Sequence, residues 1–370
     1  MHSKRLFISF PVLIVLSFLL ISWGSTGHYN ITQKAALSFN QEMQPFTAWL
    51  PYMADHSADA DDRKSWDPNE GIRHYIDIDN YPEFVSSGAI AQSLTDLIAQ
   101  HGQSVVYDNG TLPWTTLHTY DSLVKYLRLE NWEKAKYYAA DLTHYVADGH
   151  MPLHITKNYN GQYTGNTGIH SRYESTMINY RIGQISYTGE SIAPIANVSD
   201  YVFNYMYAHY KYVDSILLAD TYAQSVTGST SSNAYKDTLW AKSQYFTPIL
   251  FKNASHALAE LMYNAWLEAG KPSLTGNSAN QKVMNSTELL IGPNPFKGAT
   301  SISFTLNQDT DVKLQVMDLT GKQLAVIANG TLSPNSYTLN WDAGNLPAGV
   351  YLVELKTPES RQVKKLVLMQ

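Results

Sequence analysis

Five side chains able to bind a metal ion, His144, Asp148, His154, His170 and Glu174, stand within positions 144–174. His144 and Asp148 are four apart, as are His170 and Glu174, so in a helix each pair projects from one face toward a common point. This mixture of neutral imidazole and carboxylate oxygen is what zinc takes. One such pair is readily explained as exposed polar residues that fall at helical spacing by chance. Two pairs joined through Met151-Pro152-Leu153-His154 are hard to explain without a metal.

The elements that must carry these groups are helical. Asn131 to Val146 places Trp132, Ala135, Tyr138, Ala139, Leu142 and Val146 in one apolar stripe, which predicts a helix leading into the His144 motif. Leu117–Arg128 and Ser255–Ala269 show the same period, and the second stops at Gly270-Lys271-Pro272. Residues 23–269 are therefore expected to form one mainly α domain, with its tyrosines and tryptophans serving as core. Residues 270–288 are small and polar and read as a linker. From 289 to 370 the period becomes alternating: Ser301–Leu306, Val312–Val316, Tyr337–Trp341 and Val350–Leu355 predict the strands of a small all-β sandwich.

The chain begins with Lys4-Arg5 and an apolar run from Leu6 to Ile21, the pattern of a secretory signal peptide over 1–22 with Trp23 as the mature start. No later run matches it, so no integral membrane segment is expected after its removal. The 370 residues contain no cysteine, so packing and metal, rather than disulfides, must hold an exported protein of this kind. A net charge of −6 gives no electrostatic footprint for duplex nucleic acid.

The β region resembles the C-terminal sorting domain of type IX secretion cargo. The likeness lies in Gly292-Pro293-Asn294-Pro295-Phe296, Asp318-Leu319-Thr320-Gly321-Lys322, Leu346-Pro347-Ala348-Gly349-Val350-Tyr351 and the tail Lys364-Lys365-Leu366-Val367-Leu368. It implies the type IX machinery as partner and a secreted or cell-surface location.

Upstream stand His28, in W-G-S-T-G-H, and His74, in R-H-Y-I-D-I-D, with an acidic segment over 53–64 between them. Trp23, His28, that segment, His74, the His144–His154 motif and the His170–Glu174 motif follow in order the ligands of the zinc-dependent phospholipase C and single-strand-specific zinc nuclease superfamily, which the chain resembles over roughly 23–174. The resemblance implies a helical fold with three zinc ions in a cleft. By position, the first ion takes an Asp, His74, His144 and one oxygen of Asp148. The second takes His154, His170 and Glu174, and the third takes Trp23 through its amino and carbonyl groups, His28 and the other oxygen of Asp148. For the Asp of the first ion, Asp61 is favoured, Asp59 is close behind and Asp55 is third. Asp61 and Asp148 are the expected catalytic carboxylates. His56 and His150 read as surface or supporting residues, and Asp77 and Asp79 as orienting or solvated ones. A carboxylate bridging two cations suits clamping the attacking and leaving oxygens of a phosphoester.

Glu174 matches the phospholipases, where the nucleases use Asp. The chain has no Glu between Trp23 and His28 of the sort that choline-selective phospholipases use, so a phosphatidylcholine preference is not implied. The expected activity is that of a phospholipase C acting on phospholipid. The alternative is an endonuclease cutting single-stranded DNA or RNA to 5′-phosphate nucleotides. An inactive metal-binding module would need a closed site, and an adhesin built on the helical domain would carry no zinc.

If the Trp23 amino group binds metal, one extra N-terminal residue should lower the metal content by one ion and depress turnover. Full activity and full metal content in an extended chain would remove Trp23 from the site.

Overall fold

The computed structural model describes residues 24–274, 289–292, 294–306, 308–344, 346–358 and 360–369. The expected signal peptide, Trp23 and most of the expected linker lie outside them. The chain divides into two compact units, Met1–Thr275 and Gly276–Gln370.

The first unit is built around helices α1 (Gly24–Lys34), α2 (Leu112–Arg128), α3 (Trp132–Gly149), α4 (Val198–Tyr210), α5 (Tyr212–Thr227), α6 (Asn233–Ser243) and α7 (Thr247–Glu268), with several short turns between them. Helix α3 is the central element. The Asn131 side chain caps it by accepting from Lys134 N–H, and Glu133 lies in its first turn, where a negative charge suits the helix dipole. Its first half is one-sided, with Ala135 and Ala139 buried, whereas every residue from Ala139 to Gly149 is buried. That change from amphipathic to wholly buried lets the same helix seal the core and deliver His144 and Asp148 into the interior.

Helix α3 ends because Pro152 follows closely. The residue before a proline is pushed out of the helical region, and Met151 is extended (φ −88°, ψ 110°). The chain then turns through Pro152–His154 and meets the 71–76 segment, where Ile76 N–H donates to the His154 carbonyl at 2.8 Å. Two glycines permit close approaches beside this region. A Cβ on Gly149 would lie 2.7 Å from the Tyr205 ring on α4, and one on Gly110, which has φ +87°, would lie 2.1 Å from the Tyr75 carbonyl oxygen. Two buried apolar clusters fill the unit, one around Phe46, Leu123, Leu142 and Leu258, the other around Ile31, Met151, Tyr173, Leu239 and Phe251.

The second unit is two antiparallel sheets with one core. Strands β1 (Leu290–Gly292), β2 (Ala299–Leu306) and β5 (Asn335–Asp342) form one in the order β1-β2-β5. Strands β3 (Thr310–Met317), β4 (Gln323–Leu332), β6 (Gly349–Lys356) and β7 (Arg361–Leu368) form the other in the order β4-β3-β6-β7. The four strands expected from alternation are β2, β3, β5 and β6. Strand β4 was not legible because it is an edge strand paired to β3 through two register shifts, and its burial does not alternate.

The signature segments of this unit are clasps. Asn294 donates to the Lys365 carbonyl and accepts from Val367 N–H, tying the first motif to the tail strand at 2.7 Å and 2.8 Å. Asp318 Oδ1 accepts from Thr320 N–H and Lys322 N–H, closing the turn that Gly321 completes at φ +85°. The Tyr351 hydroxyl donates to the Pro347 carbonyl at 2.6 Å.

Candidate metal centre

Three groups of side chains in the helical unit each bring ligand atoms within 4.8 Å of one another: His28, His144 and Asp148; Asp61, His74 and His144; and His154, His170 and Glu174. Helix α1 supplies His28, the short helix Asp59–Arg63 supplies Asp61, and the turn Gly71–His74 supplies His74. The short helix Ile169–Ser171 carries His170, and it runs into a π-helical turn over Arg172–Met177 that carries Glu174. Such wide turns are rare and are found frequently at functional sites.

Asp148, a member of the first group, also faces the second. Its Oδ1 is 3.5 Å from His28 Nε2, while its Oδ2 is 3.0 Å from His74 Nδ1 and 3.2 Å from His144 Nε2. The two oxygens of one carboxylate thus face different imidazoles. Asp61 Oδ1 lies 3.6 Å from His74 Nδ1 and 3.8 Å from His144 Nε2, on the side of the group that retains some solvent access, and Lys64 contacts it at 2.6 Å.

Backbone carbonyls hold three of the imidazoles. His144 Nδ1 donates to the Ser57 carbonyl at 2.7 Å, His154 Nδ1 to the His74 carbonyl at 2.6 Å and His170 Nδ1 to the Tyr159 carbonyl at 3.2 Å. Because a carbonyl can only accept, each of these contacts puts a proton on Nδ1 and leaves Nε2 aimed into its group. His74 is turned the other way: Nδ1 faces the group, and Nε2 lies 3.3 Å from Glu70 Oε1. Glu70 is wholly buried and is held by Arg63, Arg73 and the Tyr145 hydroxyl; Arg63 in turn binds Asp141 at 2.9 Å.

The donor set fits a divalent cation. His74 Nδ1 and His144 Nε2 are 2.9 Å apart, a separation that a shared proton bridges and that a cation bound by both nitrogens would replace. In the third group the buried His170 Nε2 lies 2.8 Å from Glu174 Oε1, and the buried His154 Nε2 lies 3.4 Å from Glu174 Oε2. Buried polar atoms are ordinarily satisfied, and a carboxylate taken from water without compensation is costly. A divalent cation shared by these three side chains would compensate the carboxylate in place of the proton on His154.

Protonation differs across the centre. Burial lowers His28 to about 3, with His144 adding to the effect, so it is neutral and ready to ligate. Burial alone would also lower His154, but Asp148 and Glu174 outweigh it and raise His154 to about 9. Asp148 is held well below the usual carboxylate range: burial opposes this, and His144 and His154 prevail.

The remaining candidates fall outside the three groups. Asp59 pairs with His56 Nδ1 at 2.8 Å, both partly exposed, and Asp55 is exposed at the end of a short helix. His150 is buried against the Tyr205 ring, with Nδ1 donating to the Val146 carbonyl. Asp79 accepts from Thr156 Oγ1 and Lys157 N–H, both at 2.8 Å, and so pins the chain just after His154. Burial, with Asp79 beside it, raises Asp77 to about 7. Glu70 was overlooked in the sequence, although it stands four residues from His74, the spacing of the two pairs that were singled out.

Comparison with known proteins bears chiefly on the β unit. Residues 291–369 match the model of a secretion system C-terminal sorting domain. This domain marks type IX cargo, so the protein is secreted, either released or held at the cell surface. No curated protein matches the chain. Among solved structures, the alpha-toxin of Clostridium perfringens from avian strain SWCP has 9% identity and a TM-score of 0.42, covering 93% of this chain and 97% of its own. The alpha toxin of Clostridium absonum has 11% identity and a TM-score of 0.38, covering 94% and 98%. No helix among the described residues is long and apolar enough to cross a membrane.

Two outcomes follow from this geometry. Glu70→Gln should leave the helical circular dichroism intact but weaken metal binding by about tenfold or more, as loss of a carboxylate behind a ligating imidazole does; unchanged affinity would show that Glu70 serves only Arg63 and Arg73. A metal must also displace the proton that His154 holds below about pH 9. Affinity should therefore rise with pH from 6 to 9, with proton release visible by calorimetry in buffers of different ionisation enthalpy. Affinity independent of pH over this range would contradict the protonated state of His154.

Proposed function

We propose that the helical unit is a zinc phosphodiesterase of phospholipase C type, holding three zinc ions and cleaving phospholipid to diacylglycerol and a phosphorylated headgroup. The observation that carries this reading is Asp148, whose two oxygens address two separate sets of imidazoles. His74, His144, Asp61 and Asp148 Oδ2 would hold one ion, and His154, His170 and Glu174 a second. His28 and Asp148 Oδ1, with Trp23, would hold a third. Bound at such spacing, zinc supplies Lewis acidity and a source of nucleophile at neutral pH.

The protein's own residues supply position and charge. Asp148, Asp61 and Glu174 bring three negative charges, and the five imidazoles remain neutral when they ligate. A loaded site therefore keeps excess positive charge for one phosphodiester anion. Asp61 lies on the more accessible side of its group and can accept a proton from the attacking water. Carbonyls of Ser57, His74 and Tyr159 keep the rings from turning, so little reorganisation is needed as charge builds on phosphate. Glu174 and the net charge of −6 favour phospholipid over single-stranded nucleic acid.

The test combines a metal count with turnover of dispersed short-chain phospholipid and of single-stranded DNA. Phosphorylated headgroup from lipid, with no nucleotide from DNA, is expected. Asp148→Asn should remove more than one ion and reduce turnover by at least about a hundredfold, because a neutral amide cannot bridge two cations. Efficient release of 5′-phosphate nucleotides without lipid turnover would replace this reading with the nuclease. Normal metal content and turnover in Asp148→Asn would overturn the trinuclear assignment.

A further inference from the structure

Helices α5 and α6 form a hairpin whose inner face holds the loop between the ligands His154 and His170. Asn166 Nδ2 donates to the Leu217 carbonyl at 3.1 Å and to Asp220 Oδ2 at 2.8 Å. Arg172, between His170 and Glu174 in the chain, donates to the same Asp220 oxygen at 2.8 Å and to the Thr167 carbonyl at 2.7 Å. Asp220 is buried on α5, and it also accepts from the Tyr235 hydroxyl on α6. The hairpin and the ligand loop are therefore one packed body.

The outer face of the hairpin has different chemistry. Leu218, Tyr222 and Val226, spaced by four along α5, are 69%, 46% and 59% exposed. From Thr221 through Tyr235, across the end of α5, the turn and the start of α6, there is no charged residue. Leu218 and Val226 gain nothing from exposure to water, and the serine- and threonine-rich tip beyond them brings no charge. Cations border it. Lys242 Nζ sits 4.0 Å over the Tyr222 ring, and Lys236 Nζ and the Arg181 guanidinium sit 4.3 Å and 4.6 Å over the ring of Tyr180, which is also exposed. Against them stand Asp237, paired with Arg181, and Asp214, exposed one turn before Leu218. In a chain of net charge −6 this border is locally positive.

We propose that this outer face docks on a phospholipid bilayer carrying anionic headgroups, with Leu218, Tyr222 and Val226 entering the interface and Lys236 and Lys242 meeting the headgroups. Aliphatic side chains beside tyrosines, edged by lysines that extend along apolar surface, are the chemistry of an interfacial anchor. A single-strand track would instead present successive aromatic faces for bases, and Leu218 and Val226 offer none. The proposal rests on the phospholipid reading above and extends it: the body that grips the ligand loop also grips the substrate's surface.

The test measures binding separately from catalysis. The full chain with its metal is floated with vesicles of phosphonate lipid analogues, in which carbon replaces the ester oxygen that hydrolysis would release. One vesicle set contains phosphatidylglycerol and phosphatidylcholine analogues, the other only the choline form. Stronger binding to the anionic set is expected. Leu218→Ser combined with Val226→Ser should weaken binding by about tenfold or more. Lys236→Gln and Lys242→Gln should each cost about fivefold on anionic vesicles and nothing on the choline form. Hydrolysis of a water-soluble phosphodiester, bis(4-nitrophenyl) phosphate, should be unchanged in all of these variants, which shows them to be folded. Equal vesicle binding by the Leu218/Val226 variant and the parent would overturn the docking face without touching the phosphodiesterase reading. Failure of the parent to bind vesicles, with single-stranded oligonucleotide binding that Tyr222→Ser abolishes, would overturn it in favour of a nucleic-acid surface. Normal docking by a protein that releases no headgroup from dispersed short-chain phospholipid would uphold the surface and reject the proposed activity.

Discussion

Two carboxylates, Asp148 and Glu174, are wholly buried among imidazoles. A lone ionised carboxylate in such surroundings is costly enough that a protein ordinarily protonates it or pairs it. Here neighbouring imidazoles hold Asp148 ionised, and much of the helical unit is arranged to keep those rings in place. Helix α3 is buried on all sides over its last turns for this reason, and the chain after it is pinned at Asp79, at the His154 carbonyl and at Asp220. Once the centre is seen as a charge-compensation problem, those otherwise unrelated polar contacts form one support.

The same constraint separates the two kinds of histidine in the unit. His144, His154 and His170 spend one nitrogen on a main-chain carbonyl and point the other at a carboxylate or a second imidazole. His150 also bonds a carbonyl, but its ring stacks on Tyr205 and lies beside the ring of His209, with no carboxylate paired to it among the described residues. Residue type and burial are alike in the two cases. What differs is the convergence of a carboxylate, and this marks the three groups able to hold a metal.

Much of this was legible in the sequence, for reasons that can be named. The pairs His144/Asp148 and His170/Glu174 stand at helical spacing, the first at the end of an apolar stripe, so convergence within each pair was legible from that spacing. Helices α2, α3 and α7 were legible from the same periodicity, with boundaries a turn or less from those observed at most ends. Asp61 and Asp59 could not be separated by spacing, because both lie in one short acidic helix; only the tertiary fold turns the first toward His74 and the second toward His56. Glu70 stands four residues from His74, but its burial depends on the distant Tyr145 as well as on Arg63 and Arg73, and spacing alone does not show that burial. Strand β4 was missed because edge position and register shifts erase alternation.

The π-helical turn at Arg172–Met177 has a consequence for how this chain can vary over time. A wide turn accommodates an added residue, so the inward faces of Tyr173 and Glu174 on one side and of Met177 and Ile178 on the other are kept in phase by its width. Removing one residue here would restore an ordinary helix and rotate one side against the other by about 100°, the angle a single residue subtends. Either the Glu174 carboxylate, which faces His154 and His170, or the core methionine would then face the wrong way. The exposed Thr176 can be exchanged without disturbing that phase, whereas Arg172 is held by Asp220 and the length of the turn is constrained by the two faces it keeps in register.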